Sequence, residues 1–265
     1  MTAQTNPGAT TKAGTSGATE EEELRRELAA VYRLVHHFQM TDLIFTHISA
    51  RLPGPDHLFL INQYGLMFDE ITASNLVVVD LDGRLVRSAE GAVVNPAGFV
   101  IHSAIHRRRP DANCVLHTHT RAGCAVAAQE KLLPLNQMSM SFYDRVGYHD
   151  YEGVALNLDE QERLVADLGR HHSLILRNHG LLTVGASPAE AFLRMFYLHR
   201  SCQIQVDALA GGGPLVLPPP EVCEHAARQL EEGEDSDDYT DELGLELTWQ
   251  ALTRLVERTY PDYAT

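Results

Sequence analysis

No apolar run in this chain approaches the roughly 20 residues that a membrane-spanning helix needs, and its first twenty residues lack the apolar core of a signal peptide. Cysteine is scarce and scattered. Cys114, Cys124, Cys202 and Cys223 form no Cys-x-x-Cys pair, which speaks against a zinc knuckle or a disulfide frame and fits buried thiols in a reducing compartment. Positive charge is also short: 21 Lys and Arg face 36 Asp and Glu, and the net charge of -15 argues against a nucleic-acid partner or an anionic membrane surface. A cytoplasmic protein is expected.

What is present suffices for a folded core, since 265 residues at 44% hydrophobic composition can bury one full domain with tails. Residues 1–19 are mostly Thr, Gly, Ala and Ser and read as a disordered tail. From Glu20 the spacing of Leu24, Leu28, Val31, Val35 and Phe38 predicts an amphipathic helix. Short strands are expected over Leu43 to Arg51, His57 to Asn62, Leu76 to Asp80 and Arg84 to Val86. Asn95-Pro96 opens a helix that Pro110 ends. Further helices are expected from Arg121 to Gln129 and Asp159 to Gly169, from a capping box at Ser187-Pro188-Ala189-Glu190 to Gly211, and around Leu247, Trp249, Leu252 and Leu255. Leu132 to Tyr151 gives mixed signals, its Met and aromatic residues reading as core or pocket wall. Residues 20–213 form the expected main domain. Residues 214–265 read as a Pro-rich linker, a solvated acidic loop at Glu231 to Asp238 and a helical extension. Strands alternating with helices predict a sheet covered on both faces and not purely parallel.

Three histidines stand out. The strand-like run Asn113 to Thr118 continues into His119, and a period of two sends His117 and His119 to one face. Some sixty residues later the apolar run Ser173 to Arg177 breaks at Asn178-His179-Gly180 before Leu181 to Val184 resumes. Two imidazoles on one face and a third on a turn are a common way to hold a divalent metal with a coordination position left open. His47 and His102 are candidates to supplement this group, as ligands or as hydrogen-bonding support. Arg121, two residues beyond His119, can pair with a substrate carboxylate.

Arg109-Pro110-Asp111-Ala112-Asn113 leading into His117-Thr118-His119, followed by Asn178-His179-Gly180-Leu181, resembles the class II aldolase/adducin family. Ile44 to Ser49, Ala97-Gly98-Phe99, His102 to Ile105 and Gly147 to Tyr151 are similar to its adducin-like bacterial branch. The resemblance implies a three-layer α/β/α sandwich around a largely antiparallel, mixed sheet, commonly a homotetramer with its active site at a subunit interface. It also implies one divalent ion, Zn, Mn or Fe(II), on His117, His119 and His179.

The departures from the aldolase pattern narrow the chemistry. Where sugar-phosphate aldolases of the family carry a Glu that is both metal ligand and proton-transfer group, the matching position is Gly98; their phosphate-binding serines and threonine match Pro96, Ala97 and Tyr64. A phosphate would lose several charge-assisted hydrogen bonds, each about 1.5 to 3 kcal/mol. The Tyr that serves some of them as a proton donor from a neighbouring subunit falls near Met138, with Tyr143 or Tyr148 able to substitute. The leading expectation is therefore a metal-dependent lyase or decarboxylase acting on a small carboxylate or keto acid, with Tyr148, His102 and Arg121 as catalytic candidates. An iron(II) oxygenase acting on prenylated aryl-pyruvates, as in aminocoumarin antibiotic pathways, is the first alternative. A non-catalytic adducin-like assembly protein is the second.

Overall fold

In a computed structural model, the described residues are 20–54, 57–153, 159–232 and 241–265. The expected tail 1–19 and most of the acidic stretch 231–238 lie outside them.

The chain begins with α1 (Glu20–His37), whose four leading glutamates face the positive end of the helix dipole. Four strands follow, β1 (His47–Arg51), β2 (Phe59–Ile61), β3 (Val77–Val79) and β4 (Leu85–Arg87), and then α2 (Pro96–Arg108). The histidine strand is β5 (Cys114–Thr118), succeeded by α3 (Arg121–Ala127), the single turn α4 (Gln137–Met140), β6 (Val146–His149) and α5 (Glu160–Leu168). A hairpin of β7 (Ser173–Leu176) and β8 (Gly180–Gly185) leads to the long α6 (Pro188–Ala210), then α7 (Pro220–Glu232) and α8 (Asp241–Thr259).

The strands form one eight-stranded sheet in the order β4-β3-β2-β1-β5-β8-β7-β6. Every pairing is antiparallel except β6 with β7. Alternation along β5 divides the core. Cys114 and Leu116 join Leu28, Val31, Phe192 and Met195 from α1 and α6 in the larger cluster. Val115 faces the other way, with Ile101 and Ile105 of α2 and Leu164 and Leu168 of α5. The result is the α/β/α sandwich.

Polar contacts tie the layers. The buried Tyr32 hydroxyl of α1 accepts the N–H groups of Ile48 (3.0 Å) and Asn62 (3.1 Å), pinning the helix across β1 and β2. At the start of α6, Ser187 Oγ accepts from Glu190 N, as the capping box requires, but the Glu190 carboxylate reaches one residue further back, to Ala186 N.

Three details differ from the sequence reading. The strand expected from Leu43 begins only at His47, and Leu43 takes a left-handed φ of 48°, so residues 43–46 form a loop that carries Asp42 toward the histidines. β6 emerges from the mixed segment, parallel to β7. The region read as linker and acidic loop holds α7, to which Glu231 and Glu232 belong. The C-terminal extension packs into the main body: Val256 is fully buried, Ala73 N donates to Tyr263 O (2.9 Å), and Arg33 pairs with Asp262 at 2.8 Å. Among the described residues no helix is long and apolar enough to cross a membrane.

Candidate metal centre

The centre lies where β5 ends beside the β7–β8 turn. His117 sits inside β5 and is buried, and His119 follows one residue past the strand, just ahead of Thr120, the N-cap of α3. Asn178 adopts a left-handed φ of 54°, a conformation Asn tolerates better than most side chains. Its N–H donates to Ala127 O, and the His179 N–H donates to Leu176 O, each at 3.0 Å. The Cys124 thiol donates to His179 O at 3.0 Å. These contacts fix the turn that presents His179.

Gly180 is required here by space. A Cβ at this position would lie 2.4 Å from Thr118 O and 3.1 Å from His119 Cδ2, and a backbone oxygen inside a strand pair cannot yield as a side chain can. Gly180→Ala is expected to destabilise the fold by about 3 kcal/mol, a fall in Tm of about 6 to 12 °C, and to part the histidines. A thermal scan with a metal-binding assay checks both.

The three rings converge. His119 Nε2 is 2.8 Å from His117 Nε2 and 3.0 Å from His179 Nε2, and the ligand atoms all fall within 4.8 Å of one another. His117 Nδ1 is 2.9 Å from Leu181 O, which can only accept, so that nitrogen carries the proton. His119 Nδ1 is 3.0 Å from an oxygen of Asp42 and donates in the same way. A ring that donates from Nδ1 leaves Nε2 as the atom available to ligate, and the Nε2 atoms of His117 and His119 meet at 2.8 Å. Two Zn–N bonds at a tetrahedral angle put the nitrogens about 3.3 Å apart, so a small expansion suits the cluster to a divalent ion. Burial, followed by the neighbouring imidazoles, holds His117 far below its ordinary titration range. The same two causes push His179 down to about 4. Both favour the neutral form that ligates.

Asp42 was not singled out from sequence, because a lone acid ahead of a strand carries no periodic signal. Its contact with His119 Nδ1 is the carboxylate–histidine arrangement that orients a metal-bound imidazole. Asp42→Asn is expected to weaken metal affinity by about 10- to 100-fold with little change in Tm of the metal-free protein. Competition with a chromophoric chelator reads the first and a thermal scan the second.

The structure gathers His117, His119 and His179 and sets His47 against His117, their ring centroids 5.1 Å apart. His102 is fully buried on α2 and reaches the site only through His47, whose Nδ1 is 2.8 Å from His102 Nε2. Arg121 is exposed on the first turn of α3. Within its own subunit Tyr148 lies across the sheet from His117: it packs on the cluster that contains Leu116, whereas alternation puts His117 on the opposite face. Its hydroxyl accepts the Leu132 N–H at 2.9 Å, and the Arg177 guanidinium lies over its ring at 4.9 Å.

The fold and site together define an α/β/α sandwich, largely antiparallel, with a three-histidine cluster at the end of a central strand. The family model for the class II aldolase and adducin N-terminal domain matches residues 26–206, and the chain belongs to that family. A Caulobacter vibrioides protein, named only provisionally as a class 2 aldolase, is 50% identical over 248 residues, covering 92% of this chain and 93% of its own. Mouse alpha-adducin is 46% identical over 198 residues, covering 73% of this chain and 27% of the adducin. Among solved structures, an aldolase II superfamily protein from Pseudomonas syringae superposes with a TM-score of 0.86 at 50% identity, covering 94% of this chain and 98% of that one. An L-fuculose 1-phosphate aldolase from Glaciozyma antarctica superposes at 0.78 with 28% identity, covering 94% and 96%.

Proposed function

We propose that this protein is a metal-dependent enzyme that cleaves a carbon–carbon bond in a small carboxylate or keto acid and does not act on sugar phosphates. The reading rests above all on three convergent imidazoles beside a position, Gly98, that has no side chain to supply the aldolase carboxylate.

His117, His119 and His179 would hold one divalent ion, and Asp42 would keep the His119 ring in its ligating orientation. When bound, the ion supplies Lewis-acid stabilisation of the negative charge that develops as the bond breaks. Arg121, on the first turn of α3, offers a guanidinium to the substrate carboxylate. Release of carbon dioxide needs no base to begin, so this chemistry survives the loss of the Glu. A homotetramer is the assembly we propose, to be read by light scattering.

The test loads the protein with Zn, Mn or Fe(II) and offers a panel of small keto acids and hydroxy acids in air and under nitrogen. Turnover that persists under nitrogen is expected. Turnover with Fe(II) in air alone would replace this reading by the iron(II) oxygenase acting on an aryl-pyruvate. Failure to take up metal, together with no turnover, would favour a non-catalytic role in assembly.

A further inference from the structure

Beside the three-histidine cluster the same face of the sheet carries a second line of imidazoles. His47 of β1 stands directly across the strand pair from His117, their ring centroids 5.1 Å apart. From His47 a chain of hydrogen bonds runs away from the site. His47 Nδ1 is 2.8 Å from His102 Nε2, His102 Nδ1 is 2.6 Å from Ser49 Oγ, and Ser49 Oγ is 2.7 Å from His106 Nε2. The chain ends where His106 Nδ1 lies 3.1 Å from Ala112 O. All four side chains are buried, none more than 3% exposed.

That carbonyl fixes the direction of every link, because it can only accept. His106 therefore donates from Nδ1, and its Nε2 accepts the Ser49 hydroxyl proton. Ser49, having donated, accepts from His102 Nδ1. His102 then accepts at Nε2 from His47 Nδ1. Each of the three rings is buried, and no carboxylate among the described residues hydrogen-bonds to it, so each is neutral with a single proton to place. The proton of His47 is thus held on Nδ1, and its Nε2 is left as a lone pair. No hydrogen bond joins Nε2 to any described residue, yet it is absent from the fully enclosed unpaired polar atoms among them, which are Thr46 Oγ1, Arg51 Nε and Asp69 Oδ1. Its surface is therefore not wholly enclosed.

The ring also fills a particular space. A Cβ at Gly98 would lie 2.6 Å from His47 Cδ2, 2.8 Å from Cγ and 2.9 Å from Nε2. The imidazole of His47 and a side chain at position 98 exclude each other. We infer that His47 Nε2 is the hydrogen-bond acceptor of this site, set in the room an acidic side chain would need, and that it selects ligands bearing a hydroxyl beside their carboxylate. The class so defined is the 2-hydroxy acids. The ligand half of this inference rests on the metal reading above; the tautomer half does not.

Two measurements test it. In metal-free protein, nitrogen-15 NMR of the histidine side chains is expected to show His47 protonated at Nδ1 and bare at Nε2. A proton on Nε2, or exchange between the two nitrogens, would overturn the inference whether or not the protein binds metal. In Zn-loaded protein, glycolate is expected to bind about tenfold more tightly than methoxyacetate, which keeps the chelating oxygens but lacks the donor. His47→Ala should abolish that difference while Zn stoichiometry is retained. Equal binding by the native protein, a preference that persists in the variant, or loss of Zn from a folded variant would each contradict the assignment. Should His47→Ala not fold, Ser49→Ala interrupts the chain at its middle and is expected to release the His47 tautomer and reduce the preference; an unchanged tautomer and preference would count against it. If the native protein takes up no Zn, the metal reading falls, and the NMR result alone decides whether His47 is an acceptor.

Discussion

Alanine at His117 or His179 is expected to remove nearly all divalent metal from the purified protein, weakening affinity by more than about 100-fold. The bound follows from the partners behind the ligands, whose loss alone costs 10- to 100-fold; a direct ligand contributes more. A second readout comes from linkage. At a free metal concentration of about 100 times Kd, binding stabilises the native state by about 2.7 kcal/mol, a rise in Tm of about 5 to 10 °C for a domain of this size. Metal should raise the Tm of the native protein by this amount and leave both variants unmoved. Elemental analysis and paired thermal scans check the two halves. Equal metal content in native and variant proteins would place any bound ion elsewhere.

The second large effect is acid lability of the metal-free protein. His47, His102, His106 and His117 are buried at 3% exposure or less, and burial holds each below its ordinary value, His106 at about 3. In the unfolded chain these rings titrate near 6.5. Between pH 6.5 and the depressed folded values, the unfolded state binds more protons than the native one, so stability rises with pH and is lost as pH falls. Each ring still neutral in the fold contributes about 1.4 kcal/mol per pH unit. For His106, held at about 3, that is about 2 kcal/mol from pH 6.5 to 5, in a window above the range in which most carboxylates protonate; the other three rings act in the same direction. Denaturant titrations at pH 7.5, 6.5, 5.5 and 5.0 should show stability falling slightly across the first step and more steeply through the rest. A flat profile down to pH 5 would mean that the four rings are charged or solvated in the fold.

Much of this architecture could be read from residue pattern. The stripe from Leu24 to Phe38, the capping signal at Ser187 and the apolar runs at Ser173 to Leu176 and Leu181 to Val184 each specify one element, because periodicity and end signals agree. The strand β6 was not legible. It is four residues long and contains Gly147, which is there because a Cβ would lie 2.3 Å from Asp167 O of α5, a constraint set by a helix that comes later in the chain. Likewise α7 follows a proline-rich run that reads as linker.

The site divides in the same way. His-x-His at strand spacing and a His on a turn are local patterns, and they led to the cluster. The contact between Asp42 and His119 spans 77 residues, and the exclusion between His47 and Gly98 depends on how β1 and α2 pack. Neither leaves a trace in local sequence. Tyr148 shows the opposite limit. A tyrosine in an aromatic-rich segment is compatible with proton transfer, but the side of the sheet it takes depends on the register of β6 on β7, where it pairs with Ile175.

The most direct test of the central claim is X-ray absorption at the metal edge of the Zn-loaded protein. The expected spectrum shows three imidazole nitrogens at about 2.0 to 2.1 Å, no protein carboxylate, and water oxygen completing the shell. A shell without imidazole scattering, or one that contains a protein carboxylate, would contradict a centre built from His117, His119 and His179 alone.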